Sequence, residues 1–303
     1  MKKVLTIHFS QSGQLTEIVD NFAAQFQDAE IDKQVVVPME SFPFPWTTPV
    51  FFDKMPETVL EKTIGLEENT YRHDRYDLII FGYQPWFLSP SLPATALLKN
   101  EKFRTILKDT PVITLIGSRN MWLNSQESVK KLITEAGGKL VGNVALSDRS
   151  NNLVGVITIL HWMLKGEKTK KWGIFPKPGV SDEDIEGVKK YGVLANDALH
   201  TNEFGHLQQK IIAKDGVRVD TNILFIEGRA KRLFLIWANL IVKKAEKGNR
   251  NFWVNAFKYY LIFALFIVSP ILLLIYNILI LPFTQKSVRK QKDYFQQIRL
   301  KKD

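Results

Sequence analysis

The sequence predicts an α/β protein: a doubly wound, parallel five-stranded sheet over residues 1–200, continued by a C-terminal helical segment. Three observations carry this expectation. Short β-branched runs alternate with amphipathic helical patterns through the first 200 residues, the alternation that builds parallel sheets. The runs Asp77–Phe81 (DLIIF) and Val112–Ile116 (VITLI) are nearly continuous in apolar residues, as strands covered on both faces must be. The C-terminal quarter holds 25 consecutive residues without a formal charge, Tyr259–Phe283, which is long for a core helix.

The elements follow in order. Val4–Phe9 is the first expected strand, Leu15–Phe26 an amphipathic helix, and Gln34–Val37 a short second strand. Asp77–Phe81 and Val112–Ile116 supply the third and fourth. Ser128–Ala136 is helical and Lys139–Leu146 is the fifth strand. Ser181–Leu199 is expected as one final helix. It opens on Ser181-Asp182-Glu183-Asp184, close to a capping box with Asp in place of the usual Glu. Ile185, Val188, Gly192, Ala195 and Leu199 then recur at spacings of three and four. Residues 201–228 are a connector, polar over 203–225, with one short strand-like element.

Charge divides the chain sharply. Its 41 Lys and Arg against 31 Asp and Glu give a net charge of +10. Arg229–Asp303 alone carries 15 basic and 3 acidic residues, whereas the preceding 228 residues carry 26 and 28. The basic quarter also contains the apolar run, so its expected partner is the anionic headgroup layer of a membrane, not nucleic acid. As a helix, Tyr259–Phe283 would extend about 37 Å, against a hydrocarbon core of about 30 Å. Upstream, Arg229–Lys244 has polar positions at helical spacing and an apolar face with Phe234 and Trp237. This suits a basic amphipathic helix at the headgroups, or a helix packed on the main domain. Cations flank the run on both sides and Pro270 lies within it. A single pass and a bent, re-entrant segment both agree with that pattern. No secretory signal precedes the first strand, so the sheet domain is expected on the cytoplasmic side.

Composition excludes collagen-like, low-complexity and disordered classes. With no cysteine, a disulfide scaffold, a thiolate metal site, an iron–sulfur cluster and a catalytic thiol are excluded. The five histidines have no metal-binding spacing, so no metal is expected. No G-x-S-x-G elbow supports hydrolase chemistry.

Ligands of doubly wound sheets bind beyond the carboxyl ends of the strands, which singles out three loops. The first is Ser10-Gln11-Ser12-Gly13-Gln14-Leu15-Thr16. Two hydroxyls and a glycine stand where backbone N–H groups converge at a helix N-terminus, the requirement for holding a phosphate. It is neither a Walker A loop nor G-x-G-x-x-G. The second, Gly82-Tyr83-Gln84-Pro85-Trp86-Phe87-Leu88, offers flat apolar rings at Trp86 and Phe87. The third is Gly117-Ser118-Arg119-Asn120-Met121-Trp122. Between the second and third strands, Phe42–Trp46 and Pro49–Phe52 form an aromatic and proline-rich stretch, either a lid or a partner surface.

The S-Q-S-G-Q loop between strand and helix resembles the phosphate loop of the flavodoxin-like family, [ST]-x-[ST]-G-x-[ST]. Ser10, Ser12 and Gly13 match it; Leu15 stands at the last hydroxyl position, with Thr16 one residue late. The resemblance covers about residues 1–200 and implies bound FMN. Ser10, Gln11, Ser12, Gly13, Gln14, Leu15 and Thr16 would lie at the phosphate, and Pro85, Trp86, Phe87 and Leu88 beside the ring. Gly117, Ser118, Arg119, Asn120 and Trp122 would border its other edge, Arg119 stabilising negative charge there and Asn120 donating a hydrogen bond. The chain would then be an FMN-dependent oxidoreductase; a scaffold that has lost FMN and serves as a membrane-bound partner module is the alternative.

The stretches 83–90 (YQPWFLSP), 117–124 (GSRNMWLN) and 161–166 (HWMLKG), with the apolar C-terminus, further resemble proteins labelled dialkylresorcinol condensing enzymes. A cysteine-based condensation conflicts with a chain lacking cysteine. Two-electron redox of a quinone-like or polyketide-derived lipophilic substrate suits FMN and a membrane segment together. The electron donor stays open, NAD(P)H being one option, and a homodimer is one expected assembly.

Overall fold

The computed structural model describes residues 1–148 and 179–300. The 161–166 stretch, with His161 and Trp162, lies outside them. Five parallel strands form the sheet: β1 (Lys2–His8), β2 (Ala29–Val35), β3 (Leu78–Tyr83), β6 (Pro111–Ser118) and β7 (Lys139–Ser147), ordered β2-β1-β3-β6-β7. β4 (Pro85–Trp86) and β5 (Ser89–Pro90) pair as a small antiparallel ribbon at its rim. The helices of the sheet domain are α1 (Gln14–Ala23), α2 (Thr48–Asp53), α3 (Met55–Val59), α4 (Leu92–Leu98), α5 (Glu101–Leu107), α6 (Leu123–Glu135), α7 (Asp182–Gly187), α8 (Lys189–Thr201) and α9 (Leu207–Ala213).

Burial explains which strands were visible as apolar runs. β3 is buried at all six positions, and β6 at five consecutive ones. β2 lies at the sheet edge and is fully buried only at Asp32. The strand expected at Gln34–Val37 is therefore displaced: residues 29–35 pair with 2–8, and the apolar run marks the exit of the strand. An edge strand covered on one side carries polar residues, which hides it from a hydrophobicity criterion. The expected helix Ser181–Leu199 is two helices meeting at Val188, whose backbone stays right-handed (φ −63°, ψ −23°). Half of the expected capping box forms: Ser181 Oγ accepts from Asp184 N at 3.1 Å, while the Asp184 carboxylate accepts from the Ser181 hydroxyl at 2.9 Å in place of its backbone N–H. Gly192 lets α8 approach α1: a Cβ there would stand 2.4 Å from the Phe22 carbonyl.

The C-terminal quarter is a helical hairpin. α10 (Thr221–Ala245) begins upstream of Arg229 because Asp220 caps it, accepting from Asn222 N at 2.8 Å and Ile223 N at 3.0 Å. It thus runs through residue 228, and α9 lies within the connector range; the strand-like element there is one bridge, Val217 to Ala145. α11 is a helix of 47 residues, Arg250–Gln296, with π-helical turns at Ala264–Val268 and Tyr276–Ile280. Among the described residues it is the one helix long and apolar enough to cross a membrane, and 11% of its most apolar 18-residue window is buried. It runs back along α10: Phe257 packs edge-on to Phe234, and Tyr276 stacks on Phe225 at 3.8 Å.

Both ends of α11 are fastened to the sheet domain. Arg250 pairs with Asp53 at 2.6 Å and Glu57 at 2.9 Å. Tyr294 donates to Glu127 at 2.5 Å, and Gln296 Nε2 to the Val217 carbonyl at 3.0 Å.

Two of the buried ionisable groups, Glu227 and His8, carry pKa values shifted across the pH range of stability measurements. Glu227 of α10 is fully buried and accepts from Asn124 N, in the first turn of α6, at 2.7 Å. Burial pushes its carboxyl up to about 7. His8, at the end of β1, bonds Thr16 Oγ1 at 2.9 Å, and burial pushes its imidazole down to about 4. The two act in opposite directions on stability. Glu227 keeps a proton that the unfolded chain releases, so its contribution is lost as pH rises from 4.5 through about 7. His8 refuses a proton that the unfolded chain takes up, so its contribution is lost as pH falls from 6.5 towards about 4. Glu227→Gln is expected to flatten the loss of Tm above about pH 5 and to leave the acid-side loss in place. Thermal unfolding followed by circular dichroism across that range checks this; an unchanged alkaline limb would contradict it.

Candidate functional site

The strand order reverses direction between β1 and β3. Loops leaving the two strands diverge there, which opens a crevice at their carboxyl ends. A cavity of about 300 Å³ occupies this position, at the lower end of the range for ligand pockets. All three loops singled out in the sequence line it. Gln11, Ser12, Gln14 and Leu15 come from the first, Gln84 to Leu88 from the second, and Gly117 to Met121 from the third.

In the first loop Gly13 is the N-cap of α1 with φ +84°, and a Cβ there would meet nothing within 4 Å. The left-handed backbone, not crowding, calls for glycine. No side chain caps the helix. Ser10 Oγ accepts from Leu15 N at 3.2 Å and so shapes the loop. Gln14 turns its amide away, donating to the Val180 carbonyl and accepting from Val180 N, both at 3.0 Å. Only its backbone can serve an anion. Leu15 is buried in the core, and the Thr16 hydroxyl is engaged by His8. Thr16 does not line the cavity, so it does not replace the missing hydroxyl.

The second loop is held in a costly conformation. Between β4 and β5, Phe87 (φ 46°) and Leu88 (φ 63°) both adopt left-handed backbone, which a two-residue hairpin turn requires and which usually falls to Asn or Gly. Lys231 of α10 braces this turn, donating to Ser89 Oγ at 2.6 Å. The Trp86 ring meets Phe9, Phe42 and Trp46 edge to face at 5.2 to 6.0 Å. Phe87 lies 4.7 Å from Phe51. Both rings line the cavity and pack in an aromatic cluster at once.

The third loop places Arg119 and Asn120 on the cavity wall. Burial draws the Arg119 guanidinium down to about 10 while Asp148 opposes the shift, so it stays cationic at neutral pH. Ser118 donates to the Leu146 carbonyl at 3.4 Å. Trp122 departs from its expected place: it is 2% exposed in the main core, before α6, and does not reach the cavity.

Sequence reasoning leaves the aromatic stretch open between lid and partner surface, and misses the helical part of the far wall. Phe44, Trp46, Phe51 and Phe52 from the aromatic stretch, Phe234 of α10, and Leu261, Ile262, Leu265 and Phe266 of α11 complete the lining. The run Tyr259–Phe283 is apolar throughout, so no local pattern marks the turns that face the cavity. Two polar atoms here, Gln84 Nε2 and Gln11 Oε1, are buried without a hydrogen-bond partner among the described residues.

No family model matches the sequence, and no curated protein matches it. Among solved structures, a flavoprotein in complex with FMN from Lactobacillus acidophilus aligns with a TM-score of 0.39 at 18% identity, covering 47% of this chain and 92% of its own. Oxidised flavodoxin 1 from Bacillus cereus aligns at 0.33 and 17%, covering 65% and 98%. A flavone reductase aligns at 0.37 and 12%, covering 66% and 64%. By its own strand order, with the cavity at the switch between β1 and β3, the chain has the flavodoxin-like α/β fold.

Proposed function

We propose that the chain is a membrane-attached flavoprotein that binds FMN in this cavity for two-electron redox of a lipophilic, quinone-like or polyketide-derived substrate. One observation carries the reading: three carboxyl-end loops open into one cavity at the switch point, the first bringing the Ser12 hydroxyl beside the start of α1, the second flat rings, the third a cation with an amide.

The residues present fit FMN. Buried polar groups are ordinarily paired, and Gln84 Nε2 and Gln11 Oε1 are a donor and an acceptor left for a ligand. Ser12 and the first-turn N–H groups of α1 hold a phosphate, with the positive end of the helix behind them. Trp86 and Phe87 lie along a flat ring, and the aromatic wall keeps water from it. Arg119 sets a positive charge at the ring edge. FMN, when bound, supplies the two-electron chemistry. A substrate of the stated class is a cyclic dione, whose aromatisation to a dialkylresorcinol releases two electrons and two protons. A scaffold without FMN is the second reading, favoured by Leu15 and by the engaged Thr16 hydroxyl.

Purified protein is expected to be yellow, with a flavin absorbance band, or to become so on adding FMN; a colourless protein that takes up none would overturn the proposal. Trp86→Leu is expected to weaken FMN binding by about 0.5–1.5 kcal/mol, roughly 2- to 12-fold in Kd, by fluorescence titration. Arg119→Leu is expected to move the midpoint potential of bound FMN to more negative values, since the reduced ring loses a neighbouring cation. Spectroelectrochemistry checks the direction, and an unmoved potential would place Arg119 away from the ring.

A further inference from the structure

We propose that α10 and α11 form a platform lying in the plane of one leaflet of an anionic membrane, with the cavity opening into the lipid. The proposal rests on the membrane-attached reading above and specifies how the attachment is made. The fastenings of α11 argue against a crossing. Arg250 is tied to Asp53 and Glu57 at one end, Tyr294 and Gln296 to Glu127 and Val217 at the other, and all four partners belong to one domain. A crossing would set these two groups of contacts on opposite sides of a hydrocarbon core of about 30 Å. The middle is tied as well: Tyr276 stacks on Phe225, and Asn277 donates to Asn222 at 3.0 Å.

The opposite face of α11 is bare. Tyr259, Phe263, Ile267, Ile271, Leu274 and Ile278 recur at spacings of four and three, and each is between 50% and 66% exposed. A contiguous apolar stripe of this length marks an interaction surface. Cations stand at both of its ends, Lys243, Lys244 and Lys247 near one and Lys286, Arg289 and Lys290 near the other. That arrangement fits a helix lying among anionic headgroups. The cavity reaches this surface: Ile262, which lines it, is 43% exposed. The first π-helical turn, Ala264–Val268, adjoins the opening and contributes Leu265 and Phe266 to the wall. An amphiphile with one flat ring and an alkyl chain suits this shape, its ring among the aromatics and its chain passing Ile262 into the leaflet.

The chain lacks cysteine, so single-cysteine variants take one nitroxide each. Phe263→Cys, Ile267→Cys, Ile271→Cys and Ile278→Cys, in the full chain bound to phosphatidylcholine–phosphatidylglycerol vesicles, are read for depth by oxygen against a nickel chelate. A common depth of about 5–10 Å is expected. A profile deepest at Ile271→Cys, about 15 Å down and shallower on both sides, would overturn the platform in favour of a crossing. Copies that pair through the stripe and ignore vesicles would overturn it too. Ile262→Cys is expected to be shielded from a lipid-soluble maleimide by a decyl benzoquinone and not by the chainless quinone; equal labelling would overturn the opening. FMN uptake, followed by absorbance in the same samples, separates failure of the flavin reading from failure of the platform.

Discussion

The attachment of α10 to the sheet domain is the constraint on which the apolar half of the cavity depends. Two residues of α10 make it, Glu227 fully buried and Lys231 half-buried. Glu227 accepts from the first turn of α6, and Lys231 reaches Ser89 and approaches Glu61 at 3.8 Å. A hydrogen bond contributes about 0.5–1.5 kcal/mol, or about 1.5–3 kcal/mol where a charged group makes it, but withdrawing the Lys231 charge from water, or holding a proton on buried Glu227, costs free energy of similar size. Their main effect is therefore on geometry. Between and beyond them, Phe234, Ala238 and Ile241 pack with Met55, Val59 and Leu88 in a second core distinct from that of the sheet. Without that registration α11 would have no surface to lie on, and the cavity would lose its far wall.

The same contact links the strained hairpin to the helices. Left-handed backbone at two consecutive bulky residues costs on the order of 1–3 kcal/mol for each. Phe87 and Leu88 keep it because Leu88 is buried against α10 and Lys231 holds the neighbouring serine. In return Phe87 is presented to the cavity between Phe51 and Phe257. The aromatic stretch, the hairpin and the helical pair thus form one unit, and the phosphate-type loop joins it through Gln11, which donates to the Phe42 and Pro43 carbonyls, while Gln14 ties the same loop to Val180.

This division explains what the sequence disclosed. Strands buried on both faces, β3 and β6, and the loops following them, are written in local apolar runs and in residues that end them. β2 was misplaced because an edge strand with Asp32 at its buried position has no apolar run. Trp122 was misassigned because proximity to the third loop says nothing about which way an indole turns, and the core claimed it. Thr16 lies one residue from the missing hydroxyl in sequence, but His8 engages its side chain, a contact between strand and helix that no local pattern shows. The far wall was illegible for a more general reason. Phe234 and Leu265 meet the cavity only through packing between distant elements, and a uniformly apolar helix carries no mark of which of its sides faces protein.

On the platform proposed above, the half-exposed Ile262 at the cavity rim fixes how occupancy of the pocket depends on ligand supply. A pocket whose wall is also a lipid-facing surface takes its ligand from a two-dimensional solution. The concentration that governs its occupancy is the mole fraction of ligand in the leaflet, not the amount per volume of buffer. Diluting the membrane with inert lipid at constant total ligand would then empty the pocket as effectively as withdrawing ligand, and adding water would change nothing.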